Sequence, residues 1–199
     1  MIRPLTFALL IAPLLSLVPS AADAQWRTRD GAKVEDTPSQ QSERGFGAML
    51  QIATEAESKR FHDEWYGTAT EHAPQLQTVS SARRGDTISV LLLYAGCALD
   101  DAAAETVKAG KAPCNAQLRM RVVAPDGSDY TDLKEMSLSQ SQPSAPTGIV
   151  QLSPVELKIR FESKDALGDY RVEARIDHPD KDALLQLSTT VTLKAADAE

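Results

Sequence analysis

After its first two dozen residues the chain has no apolar run long enough to cross a bilayer as a helix, which excludes a later transmembrane span. Positive charge is in deficit. Lys and Arg total 21 against 28 Asp and Glu, a formal charge of −7, which argues against nucleic acid and anionic membrane surfaces as partners. Cysteine is scarce, and Cys97 and Cys114 lack the Cys-x-x-Cys spacing of a redox-active pair. There is no G-x-S-x-G elbow and no phosphate-binding loop, and Gly45-Phe-Gly47 lacks the third glycine of a dinucleotide loop. A metal or acid–base centre would have to draw on three histidines, His62, His72 and His178.

What is present begins with an address. Arg3, an apolar run from Leu5 to Val18 and the small-x-small triplet Ala22-Asp23-Ala24 predict a signal peptide over 1–24, cleaved ahead of Gln25. No cysteine stands at the cleavage point, so a lipid anchor is not expected, and the product should be a soluble periplasmic or secreted protein. In such an oxidising compartment an isolated cysteine pair forms a disulfide. A Cys97–Cys114 bond closing the loop 98–113 would be worth roughly 3 kcal/mol on the chain-entropy model.

The fold is written in steps of two. Val155, Leu157, Ile159 and Phe161 alternate with charged residues, as do Tyr170, Val172, Ala174 and Ile176, and then Leu185, Leu187, Val191 and Leu193 with polar ones. Such alternation predicts strands with one face in a core and one in water. Thr87 to Ala95 is apolar on both faces, with Ile88, Val90, Leu92 and Tyr94 against Leu91 and Leu93, and should be a central strand. Leu118, Met120 and Val122 mark another strand, and Asp126-Gly127 a hairpin turn before a weaker partner over 130–138. Thr54 to Glu57 supplies a capping box for one helix over 55–66, with Phe61 and Trp65 one turn apart and Gly67 as its stop. The expected organisation is a flexible polar arm (25–45), a strand–helix elaboration (46–81) with a polar connection from Thr68, a sandwich (82–194) and a short tail (195–199). The class is mainly β, an antiparallel sandwich with one short accessory helix. Trp26, alone in the arm, reads as a residue that docks locally.

Asp165-Ala-Leu-Gly168-Asp-Tyr170, just ahead of a penultimate strand, resembles the tyrosine corner of immunoglobulin-like domains. The run Leu-Gly-x-Tyr-x-Val-x-Ala-x-Ile with the alternating strand after it is similar to the end of fibronectin-III-like and macroglobulin-type modules. The resemblance covers about residues 85–194 and implies an immunoglobulin-like fold but no particular partner or activity. It departs from antibody domains in having no cysteine on the Tyr170 strand.

Two polar groups invite a chemical reading. On a helix, successive side chains of His62-Asp63-Glu64 point about 100° apart, so they should not converge, and His62 reads as a surface residue. Asp177-His178-Pro-Asp180-Lys-Asp182 is expected in the loop between the last two strands. There Asp177, Asp180 and Asp182 could offer Ca²⁺ several oxygens, or could simply be turn residues. Otherwise no catalytic or cofactor-binding residue is indicated. The composition leaves a non-catalytic binding or structural module that recognises a protein or cell-envelope component. An enzyme of unrecognised type, metal-dependent and hydrolase-like, and an envelope assembly factor accepting a strand at a sheet edge are the alternatives.

Overall fold

The computed structural model describes residues 26, 32, 34–67, 74–97, 114–145 and 148–196. The expected signal peptide, the loop 98–113, His72 and the last three residues of the tail lie outside the described residues. In chain order the strands are β1 (Gln40–Glu43), β2 (Phe46–Thr54), β3 (Ser81–Arg83), β4 (Thr87–Ala95), β5 (Gln117–Val123), β6 (Asp129–Ser137), β7 (Gln151–Leu152), β8 (Leu157–Arg160), β9 (Gly168–His178) and β10 (Ala183–Lys194). Helix α1 (Glu55–Tyr66) follows β2, and a short 3₁₀ turn, Pro179–Lys181, joins β9 to β10.

These strands make two five-stranded sheets. The first runs β1-β2-β4, with β7 and β8 sharing the far edge of β4: Leu93 and Tyr94 face β7, and Thr87 to Val90 face β8. The second runs β3-β10-β9-β5-β6. The expected inward residues meet between them: Ile88, Val90, Leu92, Leu157 and Ile159 from one sheet, and Leu118, Met120, Tyr170, Val172, Ile176, Leu187 and Val191 from the other, all buried in one cluster. The described residues therefore make a mainly β, two-sheet sandwich with one short α-helix.

The double-sided strand does what its composition demands. One face of β4 enters the main core, while Leu91 joins Ala53, Leu152 and Phe61 of α1 in a second, smaller cluster that Trp65 and Leu93 border. Helix α1 starts where expected, because the Thr54 hydroxyl accepts the Glu57 amide at 3.2 Å. The Glu57 carboxylate is taken up by the Arg60 guanidinium (2.5 and 2.9 Å) and the Gln77 amide (2.7 Å), which ties the helix to the chain beyond it.

Three expectations need correction. The segment read as a flexible arm over 25–45 contains β1, paired with β2 through a two-residue turn at Arg44 (φ 49°) and Gly45 (φ 74°). Both turn residues are left-handed, the geometry a tight hairpin requires. The segment lacks the apolar residues to fold alone, but an edge strand borrows its partner. Its backbone pairs with β2, while the Glu43 and Gln41 side chains and the Pro38 carbonyl accept the Leu184, Gln186 and Ser188 amides of β10 at 2.9, 3.0 and 2.6 Å. Trp26 docks on this hairpin, donating from Nε1 to the Gln41 carbonyl at 3.2 Å. Next, β2 is no elaboration on the sandwich, since it pairs with β4 from Gly47–Ala95 to Thr54–Ile88. Finally, the polar connection ends in β3, which runs parallel to β10, so the sandwich is not wholly antiparallel. A three-residue strand carries too little alternation to be seen in sequence.

Candidate functional site

The acidic tract does not assemble. Asp177 is exposed on β9, the Asp182 carboxylate pairs with Arg44 at 2.5 Å, and Asp180 accepts from the Asn115 amide at 3.1 Å. Asp180 and Asp182 thus face separate partners, and among the described residues the three carboxylates expected to offer oxygens to Ca²⁺ form no group of metal-ligand spacing. His178 leaves the tract altogether. It is the last residue of β9 and continues the inward series Tyr170, Val172, Ala174, Ile176, so strand alternation carries it into the core. It lies fully buried, edge-on to Phe46 with ring centroids 4.9 Å apart. Among the described residues neither ring nitrogen has a hydrogen-bond partner of good geometry, although the Cys97 and His178 backbones favour the protonated ring. Leaving a buried polar atom unpaired costs about 1–3 kcal/mol, so the fold tolerates this imidazole at a penalty.

His62 is also placed unfavourably for catalysis. Its Nδ1 lies 2.9 Å from the Ser58 carbonyl, which can only accept, so Nδ1 carries the proton. It therefore cannot act as a base toward Ser58 Oγ 3.4 Å away. The Ser58 hydroxyl instead donates to Glu156 at 2.7 Å, binding α1 to the stretch before β8. Burial alone would raise the Glu156 carboxyl, but the Ser58 hydrogen bond and the nearby Lys158 and His62 outweigh it and hold it below the ordinary 4.5. Serine lies between carboxylate and imidazole here, whereas nucleophile activation needs the imidazole in the middle. The trio is structural.

One site with room for a ligand lies on the outer face of the second sheet. An open groove of about 480 Å³ is lined by Arg119 and Arg121 of β5, Glu173 and Arg175 of β9, and Gln186 and Ser188 of β10. Register builds it. Gln186, Arg175 and Arg119 stand side by side in one cross-strand row, and Ser188, Glu173 and Arg121 in the next row two residues along. Since side chains two apart share a face, both rows project outward together.

The two rows differ in charge balance. Glu173 is gripped by Arg121 Nε and Arg171 Nε, each at 2.6 Å. Its burial opposes ionisation, yet the two guanidiniums, Arg121 foremost, hold its carboxyl below 4.5. In the other row Arg119 has turned outward to Asp132 on β6, at 2.8 and 3.3 Å, and that carboxylate raises it above its ordinary value. The Arg175 side chain, directly opposite Arg119, makes no hydrogen bond or ion pair to any described residue. Like charges placed opposite each other across a strand pair are mildly destabilising. A row of two guanidiniums and an amide, only one guanidinium neutralised, is the part of this face that gains from an incoming anion. Among the described residues no aromatic ring lines the groove, so anything it held would be held by charge and hydrogen bonding.

In the sequence these residues occupy the polar positions of alternating strands and are expected to face water. The signal that could have found them is cross-strand: Arg119 and Arg121 alternate on one strand, Arg171 and Arg175 on another, and only the register shows that these strands are neighbours.

No protein-family model matches the chain, and no curated protein matches it in sequence. Among solved structures, the C-terminal domain of wzt superposes over 80% of this chain and 78% of its own, at 10% identity and a TM-score of 0.39. The Pseudomonas fluorescens alkylpurine DNA glycosylase AlkC covers 58% of this chain at 16% identity and a TM-score of 0.34. A family 123 glycoside hydrolase from Clostridium perfringens covers 75% at 6% identity and a TM-score of 0.36. This chain spans 28% of the length of each of these two enzymes. Likenesses of this size carry no argument about function.

Proposed function

We propose that this is an exported, non-catalytic binding module whose arginine groove recognises an anionic, hydroxyl-bearing component of the cell envelope, such as an acidic polysaccharide. The observation that carries this reading is Arg175, an unpaired guanidinium set between Arg119 and Gln186 in an open polar groove. A guanidinium offers a carboxylate or phosphate two parallel donors, and Gln186 and Ser188 add neutral hydrogen-bonding partners for hydroxyls. Export is supported by the Cys97–Cys114 disulfide, which persists in oxidising compartments. Among the described residues, no helix is long and apolar enough to cross a membrane. The module is immunoglobulin-like in this reading. In its support, the Tyr170 hydroxyl donates to the Ala166 carbonyl at 2.9 Å, the bond a tyrosine corner makes to the chain just upstream.

The strand-accepting alternative has less behind it. The β10 edge amides Leu184, Gln186 and Ser188 are already occupied by the N-terminal segment. The β6 edge is charged and broken by register shifts against β5, features that blunt an edge against added strands.

The test is a binding titration with polygalacturonate as the acidic polymer and dextran as the neutral one. Wild type should bind the former and ignore the latter. Arg175→Gln should weaken binding by about tenfold to a hundredfold, the worth of a charge-assisted hydrogen bond, and added salt should weaken it further. Equal binding of both polymers, or no change in Arg175→Gln, contradicts the reading.

A further inference from the structure

We propose that Cys97, Cys114 and His178 form a thiophilic metal site that becomes available when the disulfide is reduced, holding one cation of the zinc class through two thiolates and one imidazole nitrogen. Three separate segments converge there: Cys97 two residues past β4, Cys114 three residues before β5, and His178 at the end of β9. The two sulfurs and a ring nitrogen lie within 4.8 Å of one another, and all three residues are buried. Among the described residues neither ring nitrogen has a hydrogen-bond partner of good geometry. A ring held this way keeps a lone pair uncommitted, and its nearest chemistry is sulfur.

In the oxidised chain the sulfurs are bonded to each other and present no thiolate, so the site is closed. Reduction by a dithiol breaks the S–S bond: two hydrogens pass to the sulfurs and the dithiol becomes a disulfide. Binding of Zn²⁺ then displaces the two thiol protons to solvent, while neutral His178 donates its lone pair. Zinc–sulfur bonds of about 2.3 Å in a tetrahedron put the sulfurs about 3.7 Å apart. The two Cα atoms are 5.3 Å apart, a separation that cysteine side chains can bridge to such a cation. Two thiolates cancel the charge of Zn²⁺, so the site can stay buried without net charge. Its fourth position falls to water or an incoming ligand, as in metal sites with three protein ligands.

The test uses the full chain, reduced anaerobically with a phosphine, which takes up the oxygen of water as the two thiols form. Zn²⁺ is titrated against a chromophoric chelator. The reduced protein should bind one Zn²⁺ per chain, at least about 100-fold more tightly than the oxidised protein, and His178→Leu should lose about tenfold or more. Co²⁺ in place of Zn²⁺ should give tetrahedral bands with thiolate charge transfer in the wild type. If reduction melts the chain, stoichiometric Zn²⁺ should restore its near-ultraviolet circular dichroism. Reduced protein that binds no better than oxidised, His178→Leu that binds as well as wild type, or a melted chain that zinc does not restore would each overturn the proposal.

Discussion

A buried imidazole without a hydrogen-bond partner titrates in a definite direction. Burial is the main cause and pushes His178 below its ordinary 6.5, with Asp180 offsetting only part of it. The unfolded chain therefore binds a proton more readily than the folded one. Stability from this residue is fully present above about pH 6.5 and is lost as pH falls through the folded value. One proton limits the slope to about 1.4 kcal/mol per pH unit. Thermal melts of the oxidised protein between pH 7.5 and 5 should therefore fall more steeply for wild type than for His178→Leu, and parallel curves would contradict the assignment. His178 was within reach of sequence reading: it is the next inward position after Ile176. Its neighbours Asp177, Pro179 and Asp180 are turn residues by composition, and they made the strand look two residues shorter than it is.

At the scale of elements, alternation carried most of the information. The inward residues of β4, β5, β8, β9 and β10 are the ones whose spacing said so, because a one-residue slip would turn each set toward water. Ile159, buried on β8, should cost about 2–5 kcal/mol on truncation to alanine. Arg171, exposed on β9 and paired with Glu173, should cost at most about 1 kcal/mol. Urea melts of Ile159→Ala and Arg171→Ala check this, and similar losses in both would mean the register is misplaced. Elements without alternation were invisible for a physical reason. Strand β1 is held by backbone pairing to β2 and by polar side chains reaching β10, and neither leaves a hydrophobic period in sequence. Strand β3 is three residues long. The arginine groove was hidden for a related reason, since its rows cross three strands and exist only once their order is known.

At the scale of the molecule, the disulfide joins the two sheets, linking the end of β4 in one to the start of β5 in the other. Reduction in metal-free buffer should cost roughly 3 kcal/mol, or about 6–12 °C in melting temperature. Differential scanning calorimetry with and without reductant measures it, and an unchanged transition would show that the cross-link contributes nothing to the fold. The staple fixes one end of the sandwich and β1 seals the β10 edge, so the outer face of β5, β9 and β10 remains as a broad polar surface bearing an unpaired cation. That arrangement is the basis for reading the protein as a binding module.

The most direct measurement is a ¹H–¹⁵N spectrum of the labelled protein, titrated with an oligogalacturonate. The account predicts that shifts concentrate on the backbone amides of Arg119, Arg121, Glu173, Arg175, Gln186 and Ser188 and on the side-chain N–H groups of the arginines and Gln186, leave helix α1 unaffected, and need at least about tenfold more ligand to appear in Arg175→Gln. Shifts centred on α1 or on the acidic turn at 179–182, or shifts that survive Arg175→Gln unchanged, would contradict it.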